Sequence, residues 1–189
     1  MDQLDTIKIY PTDQQILKLN KIQQDCIWVF NLFLDRELEF YDTNKCWIGA
    51  YTDIEHLIEL LKDPDSPITT SLNCLAPVIK NLISRLNRHP IGTIKAKTTH
   101  NQIQIQNVDH RMIKLESVLL PGLGSIKAKP IKDMHRFDMI SITNVNDKWW
   151  LTTGYDPKTP QSVRDYKPKT NTVTGKPVYK KKPKKRVKR

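Results

Sequence analysis

The chain has 189 residues, with 31 Lys/Arg against 20 Asp/Glu, a formal net charge of +11 and a mean hydropathy of −0.54. No apolar run approaches the roughly 20 residues of a membrane-spanning helix, and Met1-Asp2-Gln3-Leu4-Asp5 lacks the basic and apolar regions of a secretory signal. Cys26, Cys46 and Cys74 are widely spaced with no C-x-x-C pair, which argues against a zinc ribbon or disulfide framework and for reduced thiols in an intracellular protein.

Thr6-Ile7-Lys8-Ile9-Tyr10 alternates and is β-branched or aromatic at most positions, so it predicts a short strand that Pro11 stops. Thr12 offers a helix N-cap, with Gln15 completing a capping box. A long helix should follow to about Tyr41, carrying Ile16, Leu19, Ile22, Cys26, Val29, Phe30, Phe33 and Leu34 at three- and four-residue steps. Cys26 and Cys74 fall in apolar helical contexts, as small core residues do. After a loop over Asp42–Trp47, Thr52 or Asp53 caps a second helix that Asp63-Pro64-Asp65-Ser66-Pro67 ends. A third helical pattern runs from Leu72 to about Leu86, or begins only at Pro77, since proline suits a first helical turn.

Beyond His89-Pro90 the periodicity changes to that of strands. Ile103-Gln104-Ile105 alternates, Met112-Ile113-Lys114-Leu115 is a short apolar stretch, and Leu120-Pro121-Gly122-Leu123-Gly124 is a turn before Ser125–Lys129. Met139–Thr143 and Trp149–Thr153 flank Asn144-Val145-Asn146-Asp147-Lys148 as a hairpin. These strands suggest a small barrel or sheet, with the Thr6–Tyr10 strand donated from before the helices. Trp149 and Trp150 point to opposite faces of their strand, one ring entering the core and the other free to stack on a base or to cover the sheet edge.

Charge is concentrated at the end of the chain. Residues 158–189 hold 13 Lys/Arg and one acid, Asp165, leaving 18 basic and 19 acidic residues in 1–157. From Asp156 onward Pro, Lys and Thr dominate, a composition that cannot bury a core. The densest basic positions are Lys180, Lys181, Lys182, Lys184, Lys185, Arg186, Lys188 and Arg189. Such a block reads as an arm for a polyanion or as a nuclear-import signal, against a merely solubilising role.

Four landmarks in order carry a resemblance: Lys8-Ile9-Tyr10-Pro11-Thr12, Trp28-Val29-Phe30-Asn31, Ile103-Gln104-Ile105 with Leu120-Pro121-Gly122-Leu123-Gly124, and Ile140-Ser141-Ile142-Thr143 with Trp149-Trp150-Leu151-Thr152. Together they resemble the N-terminal half of the TnpB (OrfB) proteins of insertion sequences, RNA-guided nucleases related to type V CRISPR effectors and the Fanzors. The resemblance implies an α+β fold: a small oligonucleotide-binding-like β-barrel over residues 1–12 and 90–156, an inserted helical recognition lobe over 13–89, and a disordered basic tail over 157–189. It also implies that Thr99, His100 and Asn101 face DNA, with Lys95 and Lys97 supplying charge beside them. The glutamine that the family uses in its third helix is matched here by Ala76. The family's RuvC-type nuclease and its zinc ribbon have no counterpart in this sequence, so no catalytic residue is expected.

His56, His89, His100, His110 and His135 show no metal-like spacing, and no phosphate-cradling glycine motif occurs, so no metal or cofactor is expected. The expected function is binding of DNA, structured RNA or both, with no membrane partner, at the nucleoid of a prokaryote or in the nucleus of a eukaryote. A different reading makes the chain a transposon remnant or the assembly partner of a separately encoded RuvC-type nuclease.

Overall fold

The computed structural model describes residues 6–108, 112–114, 116–129 and 139–154, all within one compact unit, Met1–Asp156. The tail residues Lys180–Arg189 lie outside the described residues. The architecture of the described residues is α+β, with three helices and a seven-stranded antiparallel sheet.

Strand β1 (Thr6–Tyr10) leads into helix α1 (Asp13–Asn44), whose start is fixed by the expected capping box. The Thr12 hydroxyl accepts from the Gln15 amide at 3.4 Å, and the Thr12 amide donates to Gln15 Oε1 at 3.0 Å. Lys45, in the left-handed region at φ 58, closes the far end by donating its amide to the Tyr41 carbonyl.

Helix α2 (Ala50–Lys62) starts earlier than its sequence suggests. Its N-cap is Gly49, not Thr52 or Asp53, with no side-chain capping bond, and the loop that leads into it is held from another helix. The Glu37 carboxylate of α1 accepts from the Ile48 and Gly49 amides at 2.8 and 3.0 Å. A carboxylate eleven residues upstream thus shapes the loop before the helix and leaves no local signature at its start. Helix α3 (Leu72–Leu86) begins at Leu72 behind Ser71, with Pro77 inside it. The proline forfeits one backbone bond, yet packing of its neighbours Leu75, Ala76, Val78 and Ile79 keeps the helix continuous.

The remaining strands are β2 (Gln102–Gln106), β3 (Ile113–Lys114), β4 (Ser117–Leu120), β5 (Gly124–Ala128), β6 (Met139–Val145) and β7 (Lys148–Gly154). The sheet order is β2-β6-β7-β1-β5-β4-β3. Strand β1 therefore sits between β7 and β5, donated across the helices as its position in the sequence implies. The β6–β7 turn is only Asn146-Asp147, with φ of 51 and 59, the two-residue left-handed turn that suits a twisted hairpin. The turn between β4 and β5 uses Gly122 at φ 76, and helix α1 pins it. Gln15 Nε2 donates to the Leu123 and Ser125 carbonyls, and Lys18 Nζ donates to that of Gly122.

Two hydrophobic cores result. One face of the sheet buries Ile7, Ile9, Ile103, Ile105, Ile126, Ile140, Ile142 and Leu151, with Leu19 of α1 and Cys74 of α3 packed in. The helices bury Val29, Phe30, Phe33, Leu57, Leu75, Ile79 and Leu82 in a second cluster that also takes Ile94. Helices α1 and α3 contribute to both, which ties helices and sheet together. Cys26 and Cys74 are buried free thiols, and burial pushes Cys26 up to about 12, so it stays protonated and inert. No helix among the described residues is long and apolar enough to cross a membrane.

Candidate nucleic-acid interface

Strand β2 alternates glutamine with isoleucine, so Ile103 and Ile105 enter the core and Gln102 and Gln104 face outward. Helix α3 packs beside β2, presenting one stripe at helical spacing: Pro77, Asn81 and Arg85, with Arg88 one step past the helix end. A groove of about 300 Å³ lies between these walls, and Lys97 and His100 close it from the segment leading into β2.

A side chain of α1 ties that segment down. Asn31 of α1 donates from Nδ2 to the Lys97 carbonyl at 2.9 Å and accepts the Lys97 amide on Oδ1 at 2.7 Å. One asparagine thus reproduces a strand-like pair of backbone bonds and fixes where residue 97 sits. Its neighbour Phe30, fully buried, offers its ring to two cations. Lys97 Nζ lies 4.3 Å from the ring centroid and the Arg85 guanidinium 5.8 Å.

The groove is electropositive. Arg85, Arg88 and Lys97 line it, and among the described residues no carboxylate does. Burial, with Arg85 close by, holds the Lys97 ammonium below the ordinary lysine value. Burial first and Lys97 second push His100 down to about 4, so its imidazole is neutral near pH 7. A lysine ammonium only donates, so the 3.5 Å contact between Lys97 Nζ and His100 Nδ1 makes that nitrogen the acceptor and leaves the ring proton on Nε2. An anion entering the groove would relieve the repulsion between Arg85 and Lys97. The amides are already ordered on the walls: Asn81 Nδ2 donates to Gln104 Oε1 at 2.9 Å, and Gln102 Nε2 to the Ser141 hydroxyl at 2.8 Å.

The residues singled out from sequence separate into groups. Lys97 and His100 line the groove. Lys95, Thr99 and Asn101 are exposed and stand outside its lining. Trp149 is only 5% exposed and belongs to the sheet core, which removes it as a base-stacking residue; Trp150, on the opposite face, is half-buried. The tail lysines and arginines lie outside the described residues. Sequence reasoning passed over Asn81, Ser84, Arg85, Arg88, Gln102 and Gln104. The signal was there, since positions 81, 85 and 88 follow the i, i+4, i+7 rule for one helix face. Among the described residues no group of three or more His, Cys, Asp or Glu is placed to hold a metal ion. Neither protein-family models nor the curated proteins give a match to the chain.

Proposed function

We propose that this chain binds nucleic acid, with the α3–β2 groove as a phosphate-gripping site and the basic tail adding affinity without sequence preference. The observation that carries this reading is the groove itself: three cations converge on a polar cleft that no carboxylate of the described residues lines. Cations placed this way neutralise phosphates, and the amides beside them suit base edges or sugars. The order of the sequence landmarks supports descent from the TnpB-type recognition lobe and wedge barrel. One feature agrees with a barrel of oligonucleotide-binding type: a first strand donated across the helices and paired between β7 and β5. On this reading the protein acts at the nucleoid or, in a eukaryote, in the nucleus.

Fluorescence anisotropy on a labelled hairpin RNA and a labelled DNA duplex, titrated with salt, tests it. The full chain should bind both, with log Kd rising steeply against log salt as counterions are released. Arg85→Ala combined with Arg88→Ala should weaken binding and lower the slope on duplex by about 0.9 for each phosphate no longer neutralised. A full chain that binds neither ligand at low salt, or a double variant with an unchanged slope, sinks the reading and favours a role as the assembly partner of another protein.

A further inference from the structure

We infer that the outward face of the sheet is a track for single-stranded nucleic acid that leads away from the α3–β2 groove, with Trp150 and Tyr10 as base platforms. The inference rests on the nucleic-acid reading above and names the form of ligand.

Register places the parts. Directly opposed residues of antiparallel strands share a face. Gln102, on the groove wall, pairs with Thr143, Thr143 pairs with Trp150, and Trp150 pairs with Lys8. A continuous row therefore crosses four strands from the groove to the middle of the sheet. One step along β1, Tyr10 pairs with Lys127 of β5. Tyr10 is 49% exposed and Trp150 half-buried, on the side away from the isoleucine core. Lys8 Nζ sits 5.1 Å from the Tyr10 ring centroid, which orders the ring while keeping a cation beside it.

Charge selects the occupant. The seven strands contain no Asp or Glu, whereas they carry Lys8, Lys114, Lys127 and Lys148. A sheet face with lysines between exposed aromatics matches a chain that alternates phosphates with flat apolar rings. Geometry selects the unpaired form. Trp150 and Tyr10 are diagonal neighbours across β7 and β1, about 7–8 Å apart by strand spacing. That is roughly twice the 3.4 Å rise of a stacked strand in a duplex. A duplex hides its base faces in its own stack, so two platforms this far apart can be used only by bases that are drawn apart.

The test compares affinities of the full chain for oligo(dT), oligo(U) and a blunt DNA duplex of equal length at one salt concentration. Tyr10→Ala and Trp150→Leu should each weaken oligo(dT) and oligo(U) binding about tenfold or more, in keeping with the loss of one base–aromatic stack. Duplex affinity and the single-strand salt slope should stay at wild-type values, because stacking releases no counterions. Trp150→Phe, which keeps a ring, should recover most of the loss. Tyr10→Ala changes an exposed ring and decides the matter by itself if Trp150→Leu does not fold. Unchanged single-strand affinity in Tyr10→Ala, or equal losses on duplex and single strand, overturns the track while leaving the groove standing. A wild-type chain that binds none of the three probes overturns the nucleic-acid reading first.

Discussion

Replacing Asn31 by alanine is expected to cost about 2–3 kcal/mol of stability and to weaken nucleic-acid binding, although Asn31 is not among the groove's lining residues. The substitution deletes both bonds to the Lys97 backbone, at 2.7 and 2.9 Å. A buried backbone group stripped of its partner costs roughly 1–3 kcal/mol, and the half-buried setting of these two, where water can enter, keeps the sum near the lower end. The segment carrying Lys97 and His100 then loses its tie to α1, so two groove residues must be ordered at the moment of binding. Ordering a long side chain costs roughly 0.5–1.5 kcal/mol, which corresponds to a severalfold to about tenfold weaker Kd. Urea unfolding and anisotropy on the same variant check both parts. Full affinity in a destabilised Asn31→Ala would show that the groove does not depend on this tie.

Asn31 also marks how far the sequence could be read. The Trp28-Val29-Phe30-Asn31 stretch and the Lys95–Asn101 segment were both legible as places of interest, but nothing local says that one holds the other across 66 residues. The donated strand β1, the capping box at Thr12 and the hairpin of β6 and β7 were legible because each is written in adjacent residues. Strand β4 was hidden by Leu119, an exposed leucine on the solvent face that blurs the alternation. The start of α2 was hidden because no local side chain caps it and the loop before it is held by Glu37. Arg85 and Arg88 were overshadowed by the tail, since composition counts charge without knowing which charges a helix will align. Of the Trp149-Trp150 pair, alternation predicted one core ring and one outer ring, and only the packing told which.

The largest pH effect should come from the carboxyl pair beneath α2. Glu37 and Asp53 are both fully buried. The Glu37 carboxylate is committed to the Ile48 and Gly49 amides, whereas the Asp53 oxygens find no hydrogen-bond donor among the described residues. Arg36 approaches Asp53 Oδ1 with Nε at 3.4 Å, and His56, held below its ordinary value by partial desolvation and by Arg36, stays neutral nearby. Burial, and then the neighbouring Glu37, push the Asp53 carboxyl up to about 7, against the opposing pull of Arg36. Carrying its own proton, Asp53 becomes the missing donor, to Glu37. The native state thus holds a proton that the unfolded chain releases above its ordinary value of 3.8. The stabilisation is complete below that value and is lost as pH rises through about 7. Each tenfold change in proton affinity is worth about 1.4 kcal/mol, so the full loss between the two values is on the order of 4 kcal/mol. His56 and His100 act with the opposite sign, losing stability as pH falls below the ordinary histidine value, so wild-type stability alone would mix the contributions. Asp53→Asn separates them, because its amide donates to Glu37 at every pH. The variant's advantage over wild type should grow by about 2–3 kcal/mol between pH 5 and pH 8, measured by urea unfolding at both values. A difference between the two proteins that is the same at pH 5 and pH 8 would mean that Asp53 is ionised in the fold and that Arg36, not a shared proton, holds the base of α2 together.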